Sequence, residues 1–121
     1  MSVKLARPPL PRHTLVTGNA ETLARAMPIE TGSVRSRRIF VGAGVTVVAL
    51  TLDAGTVMKE HLSTAPILLQ VLEGHVVLDV RRDRIDMTAG SLVHVEAQLR
   101  HTVEALEPSR VLLFVLAAHA A

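Results

Sequence analysis

Short β-prone segments follow one another from Ser36 onward, and turn residues separate them every few positions. The segments are RIFVG, GVTVVALTL, ILLQVLEG, HVVLDV, RIDM, SLVHVEA, HTVEAL and RVLLFVLA. The breaks between them fall at residues 42–44, 53–55, 81–83, 88–90, 98–100 and 107–109. No long amphipathic helix is available to cover a parallel sheet, which argues against an α/β fold. Frequent turns between short β-branched segments predict an all-β sandwich or a small barrel.

The first 34 residues differ from the rest of the chain and predict an arm ahead of the β-domain of residues 35–121. Three prolines within residues 1–12 predict an extended or disordered start. Glu21–Pro28 is the one segment that predicts a helix, with Asn19 as its cap and the proline as its end. A chain of 121 residues is long enough for a single domain with its own core.

Charge is distributed unevenly between the arm and the β-domain. Residues 1–38 carry seven basic and two acidic side chains, whereas the remaining chain carries six basic and nine acidic ones. A basic arm is one signature of nucleic-acid binding. This arm has no aromatic side chain on which a base could stack, so we predict no nucleic-acid partner. Packing of the arm across the acidic body of a second subunit is the alternative.

Three further features bear on the compartment. The chain has no cysteine, which fits a reducing environment. Its longest apolar run, Val111–Ala118, is too short to cross a bilayer as a helix. The first 13 residues contain no apolar stretch of signal-peptide length. We therefore predict a soluble, cytoplasmic protein with no membrane partner.

Two glycine-bounded segments carry the motifs that matter for function. The first, GTVMKEHLSTAPILLQVLEG, has His61 six positions after its opening glycine, then Ser63 and Ile67, and ends at Gly74. This spacing resembles the first signature motif of the cupin family, which reads Gly, five residues, His-x-His, three or four residues, Glu, six residues, Gly. Ser63 stands in the place of the second histidine, and Ile67 stands in the place of the glutamate.

The second segment, GSLVHVEAQLRHTVEA, resembles the second cupin motif, which reads Gly, five residues, Pro-x-Gly, two residues, His, three residues, Asn. Glu96 stands in the proline place, Gln98 in the glycine place, His101 in the histidine place and Ala105 in the asparagine place. The resemblance covers about residues 44–118. It implies a double-stranded β-helix, or jelly-roll, barrel whose interior is the binding pocket, and a homodimer formed through the N-terminal strands.

His61 and His101 are the candidate metal ligands. In the family, two imidazoles from His-x-His, a third from a facing strand and one carboxylate bind Fe, Mn, Ni, Cu or Zn. Ser63 is a poor ligand and Ile67 is none, so at most a weakly held divalent ion is predicted, since catalytic zinc sites take three protein ligands. Substitute ligands could come from four other residues: Glu60, Gln70, His94 and Glu96. No organic cofactor is inferred.

The predicted ligand-binding set lines the barrel interior with a few polar groups among apolar ones. Its members are His61, Ser63, Ile67, Leu69, His94, Glu96 and His101. The alternative for His61 and His101 is two buried structural histidines bonded to backbone or water. His94 and Glu96 lie two apart on one strand and share a face. They form either a surface pair or a proton-transfer unit.

The sequence thus leaves several functions open. The first is a small-molecule-binding barrel, with or without a weakly held metal, and the second is a metal-dependent enzyme of the dioxygenase or isomerase type. The resemblance also suggests sugar-nucleotide epimerases, but their tyrosine acid is missing because the chain has no tyrosine. A purely structural role stays open. The cluster of Arg81, Arg82 and Arg84 predicts a hairpin turn, with phosphate binding as the alternative.

Overall fold

The computed structural model describes residues 13–117 and shows one short helix followed by nine strands. The helix, α1, spans Ala20–Ala26. The strands are β1 Val34–Gly42, β2 Val45–Leu52, β3 Val57–Leu62, β4 Ile67–Glu73, β5 His75–Val80, β6 Asp83–Thr88, β7 Leu92–Val95, β8 Arg100–Ala105 and β9 Ser109–Leu116. The predicted all-β class is confirmed, and the predicted breaks between strands fall in the observed turns.

The strands form two antiparallel sheets that face each other. A five-stranded sheet has the order β1-β2-β9-β4-β7, and a four-stranded sheet has the order β3-β8-β5-β6. From β2 to β9 the chain changes sheet at every connection except the β5–β6 hairpin. This repeated crossing wraps the chain around one core and gives the jelly-roll arrangement.

The core fills the space between the sheets with side chains that alternate along each strand. On β4, Ile67, Leu69 and Val71 are buried, whereas Leu68 and Gln70 between them are half-buried on the outward face. Such alternation is expected because successive side chains of a strand point to opposite faces. The core cluster also takes in residues from both sheets: Leu50, Leu52, Val76, Leu78, Met87, Val95, Val103, Ala105 and Val111.

Helix α1 packs on the outward face of the five-stranded sheet. Asn19 caps it, since the Asn19 side-chain oxygen accepts a hydrogen bond from the backbone N–H of Thr22 at 2.8 Å. Leu23 and Met27 are buried against Ala49, and this small cluster is separate from the main core. The predicted helix and its cap are therefore confirmed, with the helix beginning one residue before Glu21 and ending two residues before Pro28.

Strand β3 was not predicted from the sequence. Its residues include Lys59 and Glu60, which interrupt the apolar pattern that marked the other strands. The register of β3 against β8 also contains a β-bulge between Met58 and His61. A bulge adds one residue to one strand and therefore breaks the period-two pattern on which strand prediction depends.

Gly74 joins β4 to β5 where the chain leaves one sheet for the other. Its φ is +95°, and a Cβ at this position would lie 2.2 Å from the Ser109 Oγ and 2.5 Å from the Pro108 carbonyl oxygen. Both the backbone conformation and the lack of space therefore require glycine. Gly55 and Gly90, which also lie in turns, have positive φ as well.

Candidate functional site

His101 is a buried polar side chain in the apolar interior of the barrel. The residue lies on β8 with 2% of its surface exposed, and its neighbours Arg100 and Thr102 lie on the outward face. Its Nδ1 is 3.3 Å from the backbone carbonyl oxygen of Leu99. In the tautomer that carries its proton on Nδ1, the Nδ1–H donates a hydrogen bond to this carbonyl oxygen, and Nε2 is the nitrogen with a free lone pair.

The backbone of His61 lies directly opposite that of His101 in the β3–β8 pair. The β8 partners Val103 and His101 are two positions apart, but Met58 and His61 on β3 are three positions apart. The extra residue is the bulge, and it is what brings His61 into register with His101. The two predicted metal ligands are thus cross-strand partners by backbone register. The structure does not describe the side chains of residues 60–62. The prediction that Glu60 is a substitute metal ligand therefore lies outside the described side chains.

Ile67 and Leu69 line the interior, as the sequence predicted. They are 2% and 0% exposed and belong to the main apolar core. Ile67 stands in the place where the motif has a carboxylate, so at this point the interior contains a hydrocarbon side chain instead of an anion. Gln70, considered as a substitute ligand, has the opposite parity and lies on the outward face.

Ser63 follows the end of β3 and acts as a turn residue. Its Oγ accepts a hydrogen bond from the backbone N–H of Ala65 at 3.2 Å. Its carbonyl oxygen accepts a hydrogen bond from the backbone N–H of Gln98 at 2.8 Å. Ser63 therefore connects the end of β3 to the β7–β8 loop.

His94 and Glu96 do not face the interior, and their place in the predicted ligand-binding set is corrected. Both are exposed, whereas Val95 between them is buried and Val93 packs against the core. Period-two alternation explains the correction, because the apolar members of the strand take the inward face. The structure shows His94 and Glu96 as the surface pair that the sequence had left as the alternative.

The described side chains do not fit a firmly held metal ion. No group of three or more histidine, cysteine, aspartate or glutamate side chains is close enough to share an ion among the residues whose side chains are described. His101 shares its strand face with the core residues Val103 and Ala105, and Ile67 has no lone pair to donate. A catalytic zinc site takes three protein ligands, more than the described side chains supply at this end of the barrel.

A cleft of about 510 Å³ lies at the end of the four-stranded sheet, next to His101. Its walls are formed by Asp79, Arg81, Gln98, Leu99, Arg100, His101 and Thr102. Arg81 comes from the β5–β6 hairpin, and Gln98 comes from the β7–β8 loop. Asp79 and Thr102 are cross-strand partners on the outward face of the sheet. The cleft therefore opens outward, and His101 connects it to the interior.

Sequence reasoning did not identify this cleft as a site. Two signals were available: Gln98 in the glycine place of the second motif, and Arg81 at the tip of a hairpin. Both residues have positive φ, 67° for Gln98 and 56° for Arg81. Positive φ is uncommon for residues other than glycine. A polar residue in the glycine place of the second motif, as Gln98 is, therefore marks a candidate site residue.

The remaining histidines lie away from the cleft or outside the residues that the structure describes. The Nε2 of His75 lies 2.9 Å from the Asp86 Oδ1 on the outward face of the β5–β6 hairpin. His13 is exposed, and His119 lies outside the described residues. Within residues 13–117, no helix has the length and apolar character needed to cross a membrane.

Comparisons with known proteins agree with the geometry. The family model described as the cupin domain matches residues 48–116, more than half of the chain. No curated protein sequence matches the chain. The fold resembles a conserved protein of unknown function from Streptococcus pyogenes, with a TM-score of 0.73 and 21% identity over 81% of this chain and 86% of that one.

Two further solved structures share the fold. A cupin superfamily protein from Desulfitobacterium hafniense has a TM-score of 0.74 and 19% identity over 79% of this chain and 88% of its own. The protein KdgF from a Halomonas species has a TM-score of 0.65 and 20% identity over 76% and 87% of the two chains. At such identities the likeness establishes the fold alone. The predicted small single-domain cupin with a jelly-roll barrel is thereby confirmed.

Proposed function

The chain belongs to the cupin family, and from that premise we propose that it binds a small molecule at the end of the barrel where His61 and His101 are cross-strand partners. The observation that carries this proposal is the buried imidazole of His101, which borders a cleft of about 510 Å³. Small-molecule sites are typically concave and largely apolar, with a few placed polar groups. The core next to the cleft supplies the apolar part of such a site, and the cleft supplies the polar groups.

Three inward or adjacent members of the predicted ligand-binding set support the same location. Ile67 and Leu69 belong to the apolar core of the barrel, and the Ser63 carbonyl oxygen accepts a hydrogen bond from the loop that carries Gln98. His94 and Glu96 have no part in the proposal because they lie on the outward face.

A weakly held divalent ion is the second candidate, and the register of His61 with His101 favours it. Two imidazoles and water could bind Fe, Mn, Ni, Cu or Zn loosely. A metal-dependent dioxygenase or isomerase has less support, because Ile67 provides no anionic ligand. Such enzymes use the ion as a Lewis acid or redox centre, which requires firm binding.

The test of the small-molecule proposal is a fragment titration followed by NMR of ¹⁵N-labelled protein. Ligands should shift the His101 imidazole signals and the backbone signals of residues 98–102. His101→Gln should weaken binding about tenfold, the loss expected for a hydrogen bond in a desolvated site. Ser91→Ala, in the turn before β7 and outside the cleft, is the matched control. Binders that shift the backbone signals of residues 98–102 with equal affinity in wild type and His101→Gln would contradict the proposal.

The test of the metal candidate is equilibrium dialysis of untagged protein against each of the five ions. Binding that is near-stoichiometric at micromolar protein and lost in both His61→Ala and His101→Ala would replace the small-molecule proposal with a metal site. Binding that is millimolar and equal in both variants would remove the metal candidate.

We also propose that the protein is a homodimer in the cytoplasm. A row of side chains crosses the outward face of the five-stranded sheet beyond helix α1: Phe40, Val47, Phe114, Leu68 and His94. Leu92, 54% exposed, lies in the neighbouring row of this face. Light scattering on a sizing column should give a dimer for wild type and a monomer for Leu92→Glu. A monomeric wild type at 100-fold dilution from about 1 mM would contradict the dimer.

A further inference from the structure

We propose that the cleft beside His101 is a site for an anionic small molecule that carries a carboxylate or phosphate group. This inference rests on the proposed function, because it assigns a ligand class to the same end of the barrel. It is carried by three observations: the excess of positive charge in the cleft, the strained backbone of two of its residues, and the hydrogen-bond donors that these residues present.

The charges in the cleft favour an anion. Arg81 and Arg100 supply two guanidinium groups to its walls, and Asp79 supplies one carboxylate. That carboxylate is engaged elsewhere, since its Oδ2 lies 3.4 Å from the Arg84 guanidinium, which does not line the cleft. The Arg81 side chain makes no hydrogen bond or ion pair with the residues that the structure describes. An anion entering the cleft therefore meets a net positive charge.

The backbone of the cleft carries strain that a ligand-binding role explains. Arg81 and Gln98, with φ of 56° and 67°, are the non-glycine residues with positive φ in the described part of the chain, and both line this one cleft. Arg81 is the first residue of a two-residue hairpin loop between Val80 and Asp83, a position at which glycine is preferred when φ is positive.

Glycine would relieve the strain at both positions, yet both carry long side chains with hydrogen-bond donors. Conformations of this kind cluster at ligand-binding sites, where the surrounding structure over-determines them. At Gln98 the surrounding structure is visible: its backbone N–H donates to the Ser63 carbonyl oxygen at 2.8 Å, which holds the loop on the end of β3. Ligand binding by the side chains of Arg81 and Gln98 explains why these positions do not carry glycine.

The donors match the chemistry of a carboxylate or a phosphate. A guanidinium group can donate two parallel hydrogen bonds to such an anion, and Arg81 presents one to the cleft. The Gln98 amide and the Thr102 hydroxyl add neutral donors in the same walls. A volume of about 510 Å³ accepts a metabolite-sized molecule.

The experiment is a calorimetric titration of the full chain with inorganic phosphate and, separately, with citrate, at low ionic strength. Glucose serves as the neutral probe. We expect saturable binding of at least one anion and none of glucose. Arg81→Gln should weaken anion binding about tenfold, because it removes a charge-assisted hydrogen bond. Arg82→Gln removes the same charge one residue away, outside the cleft, and should leave the affinity within about twofold of wild type.

Two glycine variants separate binding from folding. Arg81→Gly and Gln98→Gly relieve the positive-φ strain while removing the donor, so each should lose anion affinity without a lower melting temperature. A lower melting temperature in Arg81→Gly would show that the Arg81 side chain is a structural residue and would overturn its role as an anion ligand.

The outcomes also distinguish this inference from the proposed function. If no anion binds, or if Arg81→Gln and Arg82→Gln weaken binding equally, the inference is wrong, and a neutral ligand that depends on His101 can still exist. If an anion binds through Arg81 but His101→Gln leaves its affinity unchanged, the anion site stands and the role given to His101 falls. A phosphate-only response assigns a phosphate ligand, and a citrate-only response assigns a carboxylate.

Discussion

His61 and His101 are direct cross-strand partners only because β3 contains one residue more than β8 between the same two rungs. Without the bulge, the alternation that places Met58 opposite Val103 would leave His61 out of register with His101. Bulges occur preferentially beside functional sites, where they redirect a side chain. The local irregularity of β3 is therefore tied to the end of the barrel that carries the buried side chain of His101.

Replacement of His101 by alanine should reduce stability as well as ligand binding. The imidazole is 2% exposed and contacts the Leu99 carbonyl oxygen, so its removal leaves a cavity and a polar group without that contact. We expect the free energy of unfolding to fall by about 1–3 kcal/mol. Chemical denaturation measures it, with Thr102→Ala on the outward face as control. An unchanged midpoint in His101→Ala would contradict the buried placement.

Introduction of a carboxylate at Ile67 should make the barrel dependent on a cation. Ile67 is 2% exposed in the apolar core, so Ile67→Glu buries an unpaired charge and should cost about 2–4 kcal/mol of stability. The new carboxylate is the missing member of the family's ligand set, and Zn or Mn should therefore raise the melting temperature of the variant.

The control for this variant is Gln70→Glu, which adds the same charge on the outward face of the same strand. It should melt within a few degrees of wild type and show no response to metal. If Ile67→Glu is as stable as Gln70→Glu without metal, the inward placement of Ile67 is wrong. If it is destabilised but unresponsive to metal, His61 and His101 do not converge with position 67.

The sequence predicted most of the fold because strands of a jelly roll leave local signals. Apolar alternation and turn residues marked eight of the nine strands, and the capping residue Asn19 marked the helix. Strand β3 escaped because its bulge and its charged residues break the period-two pattern. The sequence alone did not show which face of β7 points inward, since His94 and Val95 are adjacent. The packing of Val93 and Val95 against the core shows which face is buried.

The cleft was harder to predict for a different reason. Its walls come from β5, the β5–β6 hairpin, the β7–β8 loop and β8, which are brought together by register and not by sequence spacing. The alternation of Arg100, His101 and Thr102 could be read from the sequence. The approach of Arg81 to Gln98 could not, because it depends on how the two loops end at the same edge of the sheet.

Arg110 should hold helix α1 on the barrel. Its guanidinium is buried, and it donates to the Glu73 Oε1 at 2.8 Å and to the Met27 carbonyl oxygen at 2.5 Å, at the end of α1. We expect Arg110→Ala to lower the free energy of unfolding by about 2–4 kcal/mol, because it leaves a buried carbonyl unpaired and opens a cavity. The backbone N–H groups of Leu23 and Met27 should lose protection in hydrogen exchange.

Glu73→Gln is the matched variant for Arg110→Ala. The Glu73 side chain is 54% exposed, so neutralising it should cost less than about 1 kcal/mol and leave the protection of α1 intact. Equal losses in the two variants would mean that the ion pair, and not the hydrogen bond to Met27, fixes the helix.

Thr51 should be a position where a more apolar side chain stabilises the fold. The residue is 0% exposed on β2, and its hydroxyl has no hydrogen-bond partner in the described part of the chain. A buried hydroxyl without a partner costs about 1–3 kcal/mol, so Thr51→Val, of nearly the same shape, should raise the free energy of unfolding by about 1 kcal/mol. Thr46→Val on the same strand is only half-buried and should change it by less than about 0.5 kcal/mol. Denaturant unfolding of both variants measures the difference. A loss of stability in Thr51→Val would reveal a partner for the hydroxyl in solution.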